Sequence, residues 1–62
     1  MLASVGYDKA TATLEVAFLG GGIYQYFDVP IDVHVGLMSA SSHGTYFDVH
    51  VKQAGYRYAK VG

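Results

Sequence analysis

Three consecutive glycines, residues 20–22, constrain the fold of this chain more than any other feature. Glycine adopts positive φ angles without steric penalty, so a glycine run between two apolar segments is typical of a hairpin turn. Before the run, Leu14, Val16 and Phe18 alternate with polar or small residues, which is the period of a half-buried strand. After it, residues 23–27 are rich in β-forming side chains. No Lys-Ser/Thr pair follows the glycines, so a hairpin is favoured over a phosphate-binding loop.

Further elements flank this hairpin. Residues 2–7 predict a weaker first strand, with Ala3, Val5 and Tyr7 on one side, which makes a three-stranded meander. Pro30 ends the third strand because it cannot donate to a ladder, and it suits the first turn of a helix. Residues 45–52 fit both a strand period and helical spacing, and periodicity alone favours the strand. Residues 56–61 predict a short final strand.

The helix predicted after Pro30 carries two apolar stripes. One consists of Ile31, Val35 and Met38, and the other of Val33, Leu37 and Ala40. A surface helix normally needs one apolar stripe. The second stripe indicates cover from another helix or another subunit, and Ile31, Val35 and Met38 are the candidate oligomer interface.

Size explains why a partner is expected. The chain has 62 residues and no cysteine, which excludes disulfides, zinc ribbons and thiol chemistry. Domains this small usually need disulfides, a metal, a partner subunit or an unusually dense core.

The net charge of −1 lacks the bulk basic signature of a strong nucleic-acid binder. No apolar run is long enough to span a membrane and no signal peptide is recognisable, so a cytoplasmic protein without membrane contact is expected.

A set of short segments, taken in order, resembles a known family. They are Gly6-Tyr7-Asp8, Leu14-Glu15-Val16-Ala17-Phe18, Gly22-Ile23-Tyr24-Gln25-Tyr26, Val29-Pro30, Ala40-Ser41-Ser42-His43-Gly44-Thr45-Tyr46-Phe47 and Tyr56-Arg57-Tyr58. Together they resemble the KTSC domain, which is named for the C-terminal extension of some lysyl-tRNA synthetases and also occurs as free-standing small proteins. The resemblance spans nearly the whole chain, so residues 1–62 are interpreted as one domain.

The resemblance implies an α+β fold with a curved antiparallel sheet: a three-stranded meander, two short helices and a final strand, similar to an Sm-like small barrel. It also places residues 45–52 in a short helix, against their alternating pattern. The place of the family on a tRNA synthetase suggests RNA as a partner.

Aromatic and basic residues offer the best candidate site for nucleic acid. Lys52, Arg57 and Lys60 lie near the C-terminus, interleaved with Tyr56 and Tyr58. Tyr24 and Tyr26 add a second pair of tyrosines on the third strand. Aromatic rings on a sheet stack bases, and flanking cations pair with phosphates. The alternative is that these tyrosines form the core under the helices and that the basic side chains are simply solvated.

Catalytic chemistry finds no support. His34, His43 and His50 lack metal-ligand spacing, and no metal or cofactor is expected. The serines before His43 read as helix caps, since no nucleophile elbow is present. We therefore expect a non-catalytic binding module, for RNA or a protein–RNA assembly, and not an enzyme. The alternative is a protein-interaction or homo-oligomerisation module without a nucleic-acid role.

Overall fold

The computed structural model describes residues 2–62 and shows four strands, two α-helices and one π-helical turn. In chain order they are β1 (Leu2–Asp8), β2 (Thr13–Phe18), β3 (Gly22–Tyr26), α1 (Ile31–Ser39), α2 (His43–Phe47), the π-turn (Asp48–Lys52) and β4 (Tyr58–Lys60). Gly20 and Gly22 have φ angles of 71° and 90°, so the glycine turn between β2 and β3 does require the left-handed region.

The sheet is antiparallel, with the strand order β1-β2-β3-β4. Its register places Val16 opposite both Val5 and Tyr24, so all three side chains share one face. Tyr26 lies opposite Tyr58, and Tyr24 lies opposite Lys60. Within residues 2–62, β1 and β4 pair with one neighbour each, so both are edges and the sheet is open. The α+β class is confirmed, whereas closure into an Sm-like barrel is not.

The core lies between one face of this sheet and the helices. Its buried residues come from every part of the fold except β1 and β4: Leu14, Val16, Tyr26, Val29, Leu37, Phe47 and Val51. Phe47 packs edge-on against the rings of Phe18 and Tyr26, at centroid distances of 5.4 and 5.5 Å. These contacts hold α2 against the sheet, because edge-to-face aromatic pairs are favourable at this separation.

The ambiguous segment, residues 45–52, is helical, as the family resemblance implied and periodicity did not. Phe47 and Val51 are buried one turn apart, while Val49 between them is 50% exposed. A strand would have placed all three on one face. Ser42 starts α2, its Oγ accepting a hydrogen bond from the Thr45 N–H at 3.3 Å, as the serine-cap interpretation requires.

The two apolar stripes of α1 differ in burial. Leu37 is fully buried and Val33 packs against the core. Ile31, Val35 and Met38 are 41%, 55% and 49% exposed. The second helix covers a different side of α1, because Gly36 faces the Tyr46 ring. Within residues 2–62, nothing covers the stripe of Ile31, Val35 and Met38.

Candidate nucleic-acid interface

An aromatic cleft opens where the core face of β3 and β4 meets the π-turn. It has a volume of about 480 Å³ and is lined by Phe18, Gly21, Tyr24, Tyr26, Lys52 and Tyr58. We call this set of six residues the aromatic cleft. Four of the seven residues that the sequence nominated for nucleic-acid binding are among them: Tyr24, Tyr26, Lys52 and Tyr58.

The rings of the aromatic cleft support one another. Tyr26 and Tyr58 are stacked, with centroids 5.3 Å apart and planes 29° apart. Tyr24 lies 6.2 Å from Tyr58 and 5.7 Å from Phe18, the latter edge-on. Tyr26 is 5% exposed and Tyr58 is 61% exposed. Tyr26 is therefore a core residue, as the alternative interpretation held, while Tyr58 presents an open ring backed by a buried one.

The tyrosine hydroxyls give the cleft polar character. The Tyr7 hydroxyl donates a hydrogen bond to the Val29 carbonyl. Among residues 2–62, no side-chain hydrogen bond involves the hydroxyl of Tyr24, Tyr26 or Tyr58. Burial raises the pKa of Tyr26 above its ordinary value, and electrostatic repulsion from the neighbouring phenols of Tyr58 and Tyr24 raises it further. Tyr26 thus stays neutral at physiological pH and keeps its proton as a hydrogen-bond donor.

Lysines supply the positive charge at this site. Lys52 ends the π-turn and lines the cleft. Lys60 lies beside Tyr24 on the same face, and its side chain runs along Gly22, where a Cβ would lie 2.8 Å from the lysine Cε. A side chain at position 22 would therefore displace the lysine. Both cations are thus on the face that carries the tyrosines.

Arg57 lies on the opposite face of the sheet from this group. Its guanidinium is 3.3 Å from the Asp28 carboxylate and 5.5 Å from the centre of the Phe27 ring. Both partners of this ion pair are nearly four-fifths exposed, so it contributes little stability. Tyr56 packs against the core and does not line the cleft. The structure therefore separates Arg57 and Tyr56 from the other five nominated residues.

A larger groove, of about 680 Å³, lies on that opposite face. Three carboxylates line it, those of Asp8, Glu15 and Asp28, against the single cation of Arg57. Glu15 accepts a hydrogen bond from Gln25 at 2.9 Å. An excess of negative charge repels phosphate, so this groove is a poor nucleic-acid site despite its volume.

Phe18 and Gly21 are the cleft residues that sequence reasoning did not nominate. The strand alternation already put Phe18 on the same face as Leu14 and Val16, but nothing local indicated that it would border a cleft. The glycine turn that contains Gly21 was recognised, but only for its shape.

The histidines pack against tyrosine rings. His34 stacks on Tyr7 at 5.1 Å, and His50 lies 4.2 Å from Tyr46. Across residues 2–62, no three potential metal ligands come together. None of the helices in that range combines the length and the apolar surface that spanning a bilayer requires.

Comparisons with known proteins place the chain in a family. The sequence model of the KTSC domain matches residues 1–58. An uncharacterized protein of Stutzerimonas stutzeri is 40% identical over 60 residues, covering 97% of this chain and 84% of that protein. The crystal structure of a KTSC domain protein from Yersinia pestis superimposes with a TM-score of 0.92 at 38% identity, covering 98% of this chain and 84% of the other.

Lysine–tRNA ligases contain a similar segment. The enzyme of a Nostoc species is 44% identical over 46 residues, which is 74% of this chain and 8% of the enzyme. The enzyme of Trichormus variabilis is 41% identical over the same length, again 8% of its own chain. The similarity is thus confined to a small part of each enzyme. Since the family match spans residues 1–58 and the fold agrees with a solved member, this chain belongs to the KTSC domain family.

Proposed function

We propose that this chain is a non-catalytic module that binds single-stranded RNA in the aromatic cleft. The observation that carries the proposal is the ring of Tyr58, which is 61% exposed and stacked on the buried ring of Tyr26. A base stacks best on a ring that is open on one face and held in place on the other. Base–aromatic stacking contributes about 1–3 kcal/mol per base and tolerates any sequence.

Charge near the cleft supports the same ligand. Lys52 and Lys60 lie on the tyrosine-bearing face, whereas three of the five acidic residues, Asp8, Glu15 and Asp28, lie around the groove on the other face. Asp48 begins the π-turn that Lys52 ends. The net charge of −1 is therefore unevenly distributed. Two phosphate contacts would give a slope of about −1.4 for log K against log salt concentration, because single strands contribute about −0.7 per contact. Binding should be weak and salt-sensitive.

The relatives add support from a different direction. Several are named lysine–tRNA ligases, and a ligase that acts on tRNA is a natural setting for an RNA-binding segment. The matching segment is only 8% of those enzymes, so the ligase activity itself is not transferred to this chain.

A titration of a fluorescent single-stranded RNA of about ten nucleotides at low salt tests the proposal. Tyr58→Ala should weaken binding roughly 5- to 150-fold, the equivalent of about 1–3 kcal/mol. Tyr58→Phe should retain it, because the ring remains. Lys52→Ala should weaken binding and flatten the salt dependence by about one phosphate contact.

Arg57→Ala is the matched control, since this exposed cation lies on the opposite face. It should leave affinity within about twofold. Absence of binding at low salt would refute the proposal, as would a loss for Arg57→Ala equal to that for Tyr58→Ala. Circular dichroism of each variant shows whether the fold is retained.

The exposed stripe of α1 favours a second candidate function, association with another protein chain. Three apolar side chains, Ile31, Val35 and Met38, stay between 41% and 55% exposed in a protein of only 62 residues. Sedimentation equilibrium tests it: Val35→Asp should shift an assembly toward monomer. A wild-type chain that remains monomeric at every concentration would rule it out.

A further inference from the structure

Over residues 4–7, the free edge of β1 carries none of the features that usually protect a sheet edge. Among the residues that the structure describes, β1 (Leu2–Asp8) pairs only with β2, so its other edge has no strand partner there. Natural proteins usually block such an edge with lysine, proline or a bulge. Residues 2–7 contain no charge and no proline. The one irregularity lies between Leu2 and Ser4, and from Ser4 to Asp8 the register with β2 is regular.

The exposed stripe of α1 lies on the same flank. At 100° per residue, His34 points about 60° to one side of Ile31 and Gly36 about 140° to the other. His34 stacks on Tyr7 of β1, and Gly36 faces Tyr46 of α2. Buried Leu37 lies between those two directions. Ile31, Val35 and Met38 are therefore on the side of α1 next to β1, away from α2.

One symmetry operation would cover both features. A twofold axis perpendicular to the sheet, at the edge of β1, pairs β1 with its own copy in antiparallel fashion. The same axis places α1 beside its copy on the same side of the sheet. A symmetric dimer needs a patch that is complementary to itself, and an antiparallel strand edge beside an apolar helix stripe satisfies this.

Charge and size favour a second copy as the occupant. The patch carries no charge along residues 2–7 or on the three α1 side chains. Asp8, the one charge in β1, ends the strand, so antiparallel pairing centred on one of residues 3–6 keeps the two Asp8 carboxylates apart. A standard interface buries about 800 Å² per partner. That is about a fifth of the 3904 Å² that this chain exposes. We propose that the protein forms a symmetric homodimer in which β1 pairs with β1 to make an eight-stranded sheet and the α1 stripes pack together.

This inference rests on the second candidate function and specifies its partner and geometry. It leaves the RNA proposal independent, because Tyr58 lies on β4, at the opposite end of the sheet order from β1, and no residue of the aromatic cleft belongs to β1 or α1. Each dimer would then present two aromatic clefts, one at each end of the continuous sheet.

A single-cysteine scan tests the geometry, because the chain has no cysteine of its own. In an antiparallel pair, one residue on the twofold axis faces its own copy at a Cα separation of about 4.5–5.5 Å. This suits a disulfide, whereas neighbouring positions face their copies at distances beyond about 7 Å. We expect one of the variants Ala3→Cys, Ser4→Cys, Val5→Cys or Gly6→Cys to form a cross-linked dimer under mild oxidation at least tenfold faster than the rest. Thr11→Cys, in an exposed turn, measures random collision.

Matched lysine variants test the helix half of the interface by sedimentation equilibrium. Val35→Lys should raise the dimer dissociation constant at least tenfold. Val49→Lys is the control, since Val49 has similar exposure (50% against 55%) and lies on the π-turn. Gly6→Lys should also weaken the dimer, and a Cβ at Gly6 meets nothing within 4 Å, so the fold tolerates it.

The outcomes separate the two levels of the proposal. A dimer in which the β1 cysteines cross-link slowly and alike would overturn strand pairing while leaving protein association intact. A wild-type chain that stays monomeric up to about 1 mM would overturn both, since interfaces of this size range from micromolar to picomolar affinity. Neither result bears on RNA binding, which Val35→Lys should retain.

Discussion

Gly36 lies where the two helices approach most closely, and replacing it sets two opposing effects against each other. A Cβ built on Gly36 would lie 2.6 Å from Cζ and 3.2 Å from Cε2 of Tyr46, and closer still to its hydroxyl. Carbon atoms are in favourable contact at about 3.5–4.0 Å, so the Tyr46 ring must move. That ring is half-buried and lies 4.2 Å from His50. Its displacement therefore disturbs α2 and the π-turn.

The two effects have comparable magnitudes. Alanine is favoured over glycine inside a helix by about 1 kcal/mol. Overpacking a close contact destabilises by about 1–3 kcal/mol. We expect Gly36→Ala to lower the free energy of unfolding by about 1 kcal/mol net, which in a domain of this size lowers the melting temperature by about 4–8 °C.

Removing the Tyr46 ring should change the effect of Gly36→Ala from destabilising to stabilising. In a Tyr46→Leu background the ring is gone, so Gly36→Ala should raise stability by up to about 1 kcal/mol through helix propensity alone. Thermal and urea unfolding of the four proteins, followed by circular dichroism, gives the interaction energy of the pair. If Gly36→Ala stabilises both backgrounds equally, the close contact does not constrain the packing of the helices.

Three further predictions concern local features. Ser42→Ala removes the Oγ that accepts the Thr45 N–H, and urea unfolding should show a loss of about 1 kcal/mol; an unchanged midpoint would contradict the cap. Ala12 has a φ of 54°, a left-handed conformation that costs alanine about 1–2 kcal/mol. Ala12→Gly should raise the melting temperature by a few degrees, because glycine avoids this strain and loses only part of the gain to the greater entropy of its unfolded chain. A lower melting temperature would contradict the assigned strain. The raised pKa of Tyr26 means that the unfolded chain loses this proton first as pH rises through 10.0, so stability should be complete below that pH and fall above it. Tyr26→Phe should show a shallower alkaline decline in urea midpoints, and an identical decline would contradict the assignment.

Local sequence accounts for most of the secondary structure. The glycine turn follows from positive φ angles that other residues rarely adopt, and the strand alternation of residues 13–18 follows from a one-sided sheet. Pro30 marks the start of α1, which begins at Ile31. The final strand covers Tyr58–Lys60 and is shorter than the predicted residues 56–61, although backbone hydrogen bonds flank it on both sides, from Phe27 N–H to the Arg57 carbonyl and from Val61 N–H to the Ile23 carbonyl.

The segment after Ser42 shows where local patterns are insufficient. Phe47, Val49 and Val51 satisfy a strand period and also contain a helical i,i+4 pair. The energy that decides between them comes from contacts distant in sequence, the packing of Phe47 on Phe18 and Tyr26. Only the family resemblance anticipated this outcome, because it carries the tertiary fold implicitly.

The candidate site also depends partly on local sequence and partly on tertiary packing. The sequence by itself determined that a small, cysteine-free chain would form a meander with a glycine turn. It also determined that the strands would carry pairs of tyrosines and that the helix after Pro30 would carry a second apolar stripe. Tertiary structure alone decided that Lys52 would line the cleft with Tyr58 and that Arg57 would lie on the other face. It also decided that the exposed stripe of α1 would lie beside the edge of β1. The physical reason is that side-chain period fixes which residues share a face of one element, whereas the assembly of faces depends on packing between elements far apart in the chain.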